Sequence, residues 1–155
     1  MRSMGIAVKM ATKAIPTVRA VVVDGPAALA AVVDTFEVSA PQSEVAAMLA
    51  EIAEAVASRA EGLGVNGAII RRADKSQRPS NQEGPRVRLL TEGAITAAVR
   101  AHVPETVIRD GEHCGTLYGP DKTAMDAAAR SLLAGAAREV KYDEAAGAAL
   151  AALSL

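Results

Sequence analysis

The sequence predicts a three-layer α/β domain: a five-stranded mixed sheet that opens as an antiparallel meander, continues through helical crossovers, and carries helices on both faces. Three observations predict it. Valine-rich segments dominate roughly the first forty residues, the spacing of apolar positions turns helical after Pro41, and short apolar runs then alternate with amphipathic stretches. Strands joined by tight turns pair antiparallel, whereas strands joined through a helix return parallel, so this order needs a sheet of both kinds.

Ile6, Val8 and Met10 alternate with Ala7, Lys9 and Ala11, the period of a strand. Thr17 to Val23 (TVRAVVV) is a second strand, closed by the turn residues Asp24-Gly25-Pro26. Across LAAVVDTFEV, Leu29 to Val38, the branched and aromatic residues Val32, Val33, Thr35, Phe36 and Val38 favour a third strand, because such side chains suit a pleated surface. From Pro41 to Glu61 the residues Val45, Met48, Leu49, Ile52 and Val56 line one helical face, with Pro41 suited to the first turn and Gly62 to the stop. Ala68-Ile69-Ile70 is a short buried strand, and the polar stretch that follows predicts a flexible loop over residues 73–85. Val87, Leu90, Ala94, Ile95, Ala98 and Val99 mark a second helix, TVIR at Thr106 to Arg109 the last strand, and Met125, Ala129, Leu132 and Ala136 a third helix. Asp121 suits the N-cap of that helix, and RDGEHCGTLYGPD before it reads as a small polar loop. A tail helix starts near Asp143.

Residues 1–155 read as a single domain, long enough to bury a real core. Half of the residues are hydrophobic, yet the chain has one Phe, two Tyr and no Trp, so the core must be built of small aliphatic side chains. A formal net charge of −1 gives no global attraction to nucleic acid or anionic membrane, and any basic site must be local. The single cysteine, Cys114, excludes an internal disulfide and a multi-cysteine zinc site, which fits a reducing cytoplasm. No stretch has the length and apolarity of a membrane span or a secretory leader, so a cytoplasmic protein is expected.

In this element order, LLTEGAITAAVRAHVPETVIRDG, GPDKTAMDAAARSLL and DEAAGAALAAL resemble the ribonuclease H-like fold and, within it, the Holliday-junction resolvase branch. The resemblance covers nearly the whole chain from Gly5. It implies phosphodiester cleavage with two divalent metals, Mg²⁺ or Mn²⁺, held by carboxylates on the first strand, at the end of the fourth strand and on the last helix. Hard cations need several anionic oxygen ligands, and two of them must sit about 4 Å apart to serve both attacking and leaving oxygens. By this resemblance the first ligand position falls on Ala7, and no Asp or Glu occurs from Met1 to Val23. The second falls on Arg71, followed by Arg72 and, just beyond, Asp74. A guanidinium only donates hydrogen bonds and repels a metal. The last helix keeps an acid, as Asp143 or Glu144, but one carboxylate does not hold two metals. The pair also has a plain structural account, since acids in a first helical turn meet free N–H groups and the helix dipole. The site role of Glu144 stays open.

Arg71, Arg72, Lys75, Arg78, Arg86 and Arg88 stand against Asp74 and Glu83, a local excess of four positive charges in a chain that is otherwise acidic. Such a cluster suits phosphate, through the bidentate arginine fork, yet no aromatic residues interleave to stack bases, and a solvated loop is the simpler account. His113 and Cys114 adjoin like a base and a nucleophile, but neighbours in an extended loop point apart, and an incidental thiol is the expectation. His102 ends its helix, where a cation favours the dipole. GTLYGPDKT lacks the glycine spacing of a phosphate loop and reads as structural.

Two function classes remain. In the first, the chain is a catalytically inactive resolvase-like domain that acts by binding another macromolecule, nucleic acid through the basic loop included, or itself, with no cofactor. In the alternative it is a divalent-metal-dependent nuclease acting on DNA or RNA, in which Asp74, Glu144 and an acid of the third strand, Asp34 or Glu37, converge. The acid-free first strand favours the first, because that strand is central in the fold. The alanine-rich helices, AAGAALAALSL above all, permit close helix approach and suggest a homodimer, although small residues also serve packing within one chain.

Overall fold

The computed structural model describes residues 1–10, 15–74 and 83–155. Strand β1 spans Arg2–Met10, β2 Pro16–Asp24 and β3 Ala31–Val38; helix α1 covers Val45–Gly62, β4 Gly67–Arg71, α2 Glu83–His102 and β5 Glu105–Arg109. Three helices close the chain, α3 at Gly111–Tyr118, α4 at Lys122–Gly135 and α5 at Asp143–Ala152. The sheet order is β3-β2-β1-β4-β5. β1 and β2, and β2 and β3, pair antiparallel, whereas β4 pairs parallel with both β1 and β5. This is the mixed sheet expected from the order of elements.

β1 lies at the centre and is buried on both faces. Met4, Ile6 and Val8 face a core completed by Met48, Ile52 and Val56 of α1 and by Val87, Ile95 and Val99 of α2. Ala7, one residue out of phase, faces the opposite layer with Ala129 and Leu133 of α4 and Ala145, Ala146 and Ala149 of α5. Ile69 of β4 continues that second core against Cys114 of α3, Met125 of α4 and Ala148 of α5. Helices therefore cover both faces, and alternate residues of one strand feed two cores.

The alanine-rich tail helix is interior. Ala145 to Ala152 are all buried within the chain, so the small residues expected to favour a homodimer are used for intrachain packing. Ser3 Oγ donates to the Ala149 carbonyl at 2.7 Å, and a Cβ placed on Gly5 would overlap the Ala145 carbonyl oxygen and the backbone of Ala148 and Ala149. Only glycine lets α5 approach the strand this closely.

Three boundaries differ from the sequence reading. Helix α1 begins at Val45, not near Pro41, because the Glu44 carboxylate accepts from Ala46 N and Ala47 N at 2.9 and 2.7 Å and so sets the N-cap. Residues 83–85 of the expected 73–85 loop belong to α2, while residues 75–82 lie outside the described residues. The segment read as an extended polar loop contains α3. Asp110 caps that helix by accepting from His113 N at 3.0 Å, just as Asp121 caps α4 by accepting from Ala124 N at 2.7 Å.

Candidate functional site

The C-terminal ends of parallel strands β1, β4 and β5 meet at one edge of the sheet, where open α/β sheets place their ligands. Strand register brings one row of residues into line there. Glu37 of β3 pairs with Arg19 of β2, Arg19 with Ala7 of β1, Ala7 with Arg71 of β4, and Arg71 with Arg109 of β5. Directly paired residues share a face, so Ala7 sits between two arginines on the side covered by α4 and α5. Arg19 is satisfied by Glu37 at 2.9 Å and by the Lys141 carbonyl at 3.2 Å, and Lys141 Nζ holds the other Glu37 oxygen at 2.6 Å.

Arg71 is different. It is only 4% exposed, so it is not part of a solvated loop, which corrects the simpler reading of the basic cluster at this residue. Its Nη2 lies 3.6 Å from Asp74 Oδ2, beyond hydrogen-bond range. Among the described residues its Nη1 is buried with no hydrogen-bond partner. Leaving a buried donor unpaired costs about 1–3 kcal/mol, and more when the group is charged. The guanidinium is seated against Gly111, where a Cβ would overlap Nη2 and the guanidinium carbon.

Glu144 stands in the first turn of α5, half-buried, with Oε1 2.5 Å from Lys9 Nζ. Burial pushes its pKa up, but the Lys9 hydrogen bond and the charges of Lys9, Arg71 and Arg88 outweigh burial and hold it below the usual carboxylate range. The pair Asp143 and Glu144 thus begins a helix, as expected, but the two carboxylates part ways: Asp143 accepts from Glu144 N at 2.7 Å, and Glu144 reaches the end of β1. Asp74 accepts from Gly111 N at 2.9 Å and from Lys122 Nζ at 3.1 Å. Burial raises its pKa, and those two bonds with the Arg71 charge lower it further than burial raises it.

At the C-terminal ends of β4 and β5, a cavity of about 430 Å³ is lined by Arg72, Ile108, Arg109, Asp110 and His113. His113 Nδ1 hydrogen-bonds Asp110 Oδ1 at 2.6 Å, and Arg72 Nη2 donates to Asp110 Oδ2 at 3.3 Å. The backbone N–H and side chain of His113, with Arg72, depress the Asp110 pKa strongly. Cys114 points the other way. The His113 side chain is 68% exposed and Cys114 is 0% exposed, so these successive residues of α3 present one group to solvent and the other to the core. Burial pushes the thiol pKa up to about 11. His102 closes α2 and meets Glu61 at 3.4 Å.

The acids considered for metal binding do not gather. Asp34 lies on the edge strand with its carboxylate on Thr35 N at 2.8 Å, and Glu37 is tied to Arg19 and Lys141. Asp74 and Glu144 each face lysine. Among the described residues, no three His, Cys, Asp or Glu side chains group as metal ligands. Of the basic cluster, Arg86 and Arg88 stand on the first turns of α2, with Arg88 Nε donating to Glu92 at 2.9 Å, and Lys75 and Arg78 lie outside the described residues. Lys9, Arg109 and Lys122 were not singled out by sequence, because only register and packing bring them to the centre.

No family model matches the chain, and no curated protein does. Solved structures do. The RuvC structure of Thermus thermophilus superposes with a TM-score of 0.68 at 19% identity, over 97% of this chain and 92% of that one. T. thermophilus RuvC in complex with Holliday junction substrate gives a TM-score of 0.69 at 16% identity, over 97% of this chain and 91% of that one. The chain has the ribonuclease H-like fold of these resolvases, as its resemblance implied.

Proposed function

We propose that the chain is a single, catalytically inactive resolvase-fold domain that binds nucleic acid backbones through the cationic C-terminal edge of its sheet. The observation that carries this reading is Arg71, a buried guanidinium in register with Ala7 at the positions where the resemblance calls for two carboxylates. The described residues do not fit a two-metal centre: alanine supplies no ligand, arginine repels a cation, and Glu144 is already neutralised by Lys9. Arg72 just past β4, Arg109 at the end of β5, Arg86 in the first turns of α2 and Lys122 at the start of α4 would add phosphate-binding charge, Arg72 and Lys122 while sharing it with Asp110 and Asp74. The relative solved with a Holliday junction supports nucleic acid as the partner class.

The test is fluorescence anisotropy with a labelled four-way DNA junction, a duplex and a single strand. We expect binding in EDTA that weakens steeply with salt, by about 0.9 log units per log unit of salt for each phosphate contacted. The metal-dependent alternative is tested by calorimetric titration of Mg²⁺ and Mn²⁺ with Glu144→Ala as control. Metal binding abolished by that substitution would favour the nuclease.

Self-association belongs to the same reading, at a different surface from the tail helix. Leu89 and Leu90 of α2 are 65% and 53% exposed, and Gly93 and Ala97 continue this exposed face toward the helix end. Two copies of α2 set antiparallel would place the leucines of each against the small residues of the other. Sedimentation equilibrium is expected to show a dimer that Leu90→Lys converts to monomer; a wild-type monomer at all concentrations contradicts it. No described helix is long and apolar enough to cross a membrane, and the lone buried thiol fits a reducing compartment such as the cytoplasm.

A further inference from the structure

We infer that Glu144 is a tethered stand-in for an oxyanion, and that a phosphate or phosphodiester group binds between Lys9 and Arg71 by displacing it. This deepens the nucleic-acid reading and rests on it for the source of the phosphate.

Lys9, Arg71 and Arg88 lie close enough to hold the Glu144 carboxylate charged, and Lys122 is joined to Arg71 through Asp74; these four cations stand against three carboxylates, Glu144, Asp74 and Glu92. Two of those carboxylates are committed elsewhere. Glu92 is nearly buried and holds Arg88, and Asp74 is shared between Gly111 N and Lys122. Glu144 reaches from α5 to the end of β1 on a side chain that is 34% exposed, and Lys9 is its one side-chain partner among the described residues. The second, independent observation is Arg71 Nη1, buried and without a hydrogen-bond partner among the described residues, on a guanidinium whose charge is felt by Glu144. A carboxylate presents two oxygens, and here one of them is taken by Lys9. A phosphate oxyanion presents more, in the geometry a guanidinium fork matches, and would satisfy both the ammonium and the orphaned N–H. Glycine at position 111 leaves the room in which that guanidinium is seated. The arrangement is a built cationic seat whose occupant is part of the chain.

An ordinary structural ion pair and a stand-in anion predict opposite effects of neutralising Glu144. Calorimetry with inorganic phosphate, and separately with a dinucleoside phosphodiester, on wild type, Glu144→Gln and Arg71→Met separates them. We expect Glu144→Gln to bind the anion about tenfold or more tightly than wild type, one charge-assisted contact being worth that factor. Its melting temperature should fall in phosphate-free buffer and recover when phosphate is added. Arg71→Met replaces a poorly paired buried charge with an apolar chain of similar volume, so it should fold and lose the anion response. Unchanged or weaker anion binding by Glu144→Gln, or a response that survives Arg71→Met, overturns the inference. If Glu144→Gln folds poorly and phosphate does not restore it, the inference also fails. Tighter binding of the diester assigns the site to a nucleic acid backbone, and tighter binding of inorganic phosphate assigns it to a free phosphate. Wild type that binds DNA while Glu144→Gln shows no gain leaves the proposed function standing without this site; a gain for Glu144→Gln with no DNA binding does the reverse.

Discussion

Ala7, Arg71 and Glu144 could be picked from the sequence because a resemblance pointed at their positions. Their neighbours could not. Lys9 stands in the sequence only as one of the residues alternating with Ile6, Val8 and Met10, and nothing local connects it to Glu144 over 135 positions. Asp110 likewise looked like one polar residue among several, yet it caps α3, binds His113 and receives Arg72. Removing it with Asp110→Ala is expected to cost about 1–2 kcal/mol, measured by urea denaturation, the range of a lost N-cap. The pH dependence follows from the same groups. Asp110, Asp74 and Glu144 all have folded-state pKa values below their ordinary ones. Their stabilisation is therefore fully present above the unfolded carboxylate pKa, about 4, and is lost as pH falls through lower values. Thermal scans should show a melting temperature that drops below about pH 4 and drops less steeply in Asp110→Asn. Cys114 has the opposite sign: its thiol is held neutral, with a pKa near 11, so an aromatic disulfide reagent at pH 8 should leave the native protein unmodified and react only in denaturant.

At the scale of elements, long helices and central strands were readable and short capped pieces were not. α1 and α2 repeat their apolar face over 18 and 20 residues, which fixes their type beyond doubt of period. α3 has eight residues, with glycine at two of them, and its helical spacing is carried by Cys114, Leu117 and Tyr118 alone, so its existence depends on the Asp110 cap and on burial of Cys114. The start of α1 was misplaced for a similar reason, because a side-chain cap at Glu44 outranked proline at position 41. α5 shows the limit from the other direction. Its alanines spell a helix, but which surface they pack on depends on Gly5 and Ser3, far away in sequence. Gly5→Ala is expected to destabilise by about 3 kcal/mol, the upper range for overpacking, and to do so without changing far-ultraviolet helix content in the surviving folded fraction.

For the whole molecule, the order of elements determined the sheet before any side chain was placed, since hairpins and helical crossovers leave little choice of topology. The chemistry of the sheet edge was less accessible. It arises from register, which lines up Arg19, Ala7, Arg71 and Arg109 on one face, and register is a property of the folded sheet that no single segment encodes. The result is a resolvase fold whose centre carries its own positive charge where the resemblance calls for metal ligands. The most direct measurement is incubation of the purified protein with a labelled four-way DNA junction, in EDTA and in Mn²⁺, reading complex and cleavage products on native and denaturing gels. The account predicts the same complex in both and intact strands throughout. Strand cleavage that appears with Mn²⁺ and disappears in Glu144→Ala would contradict it.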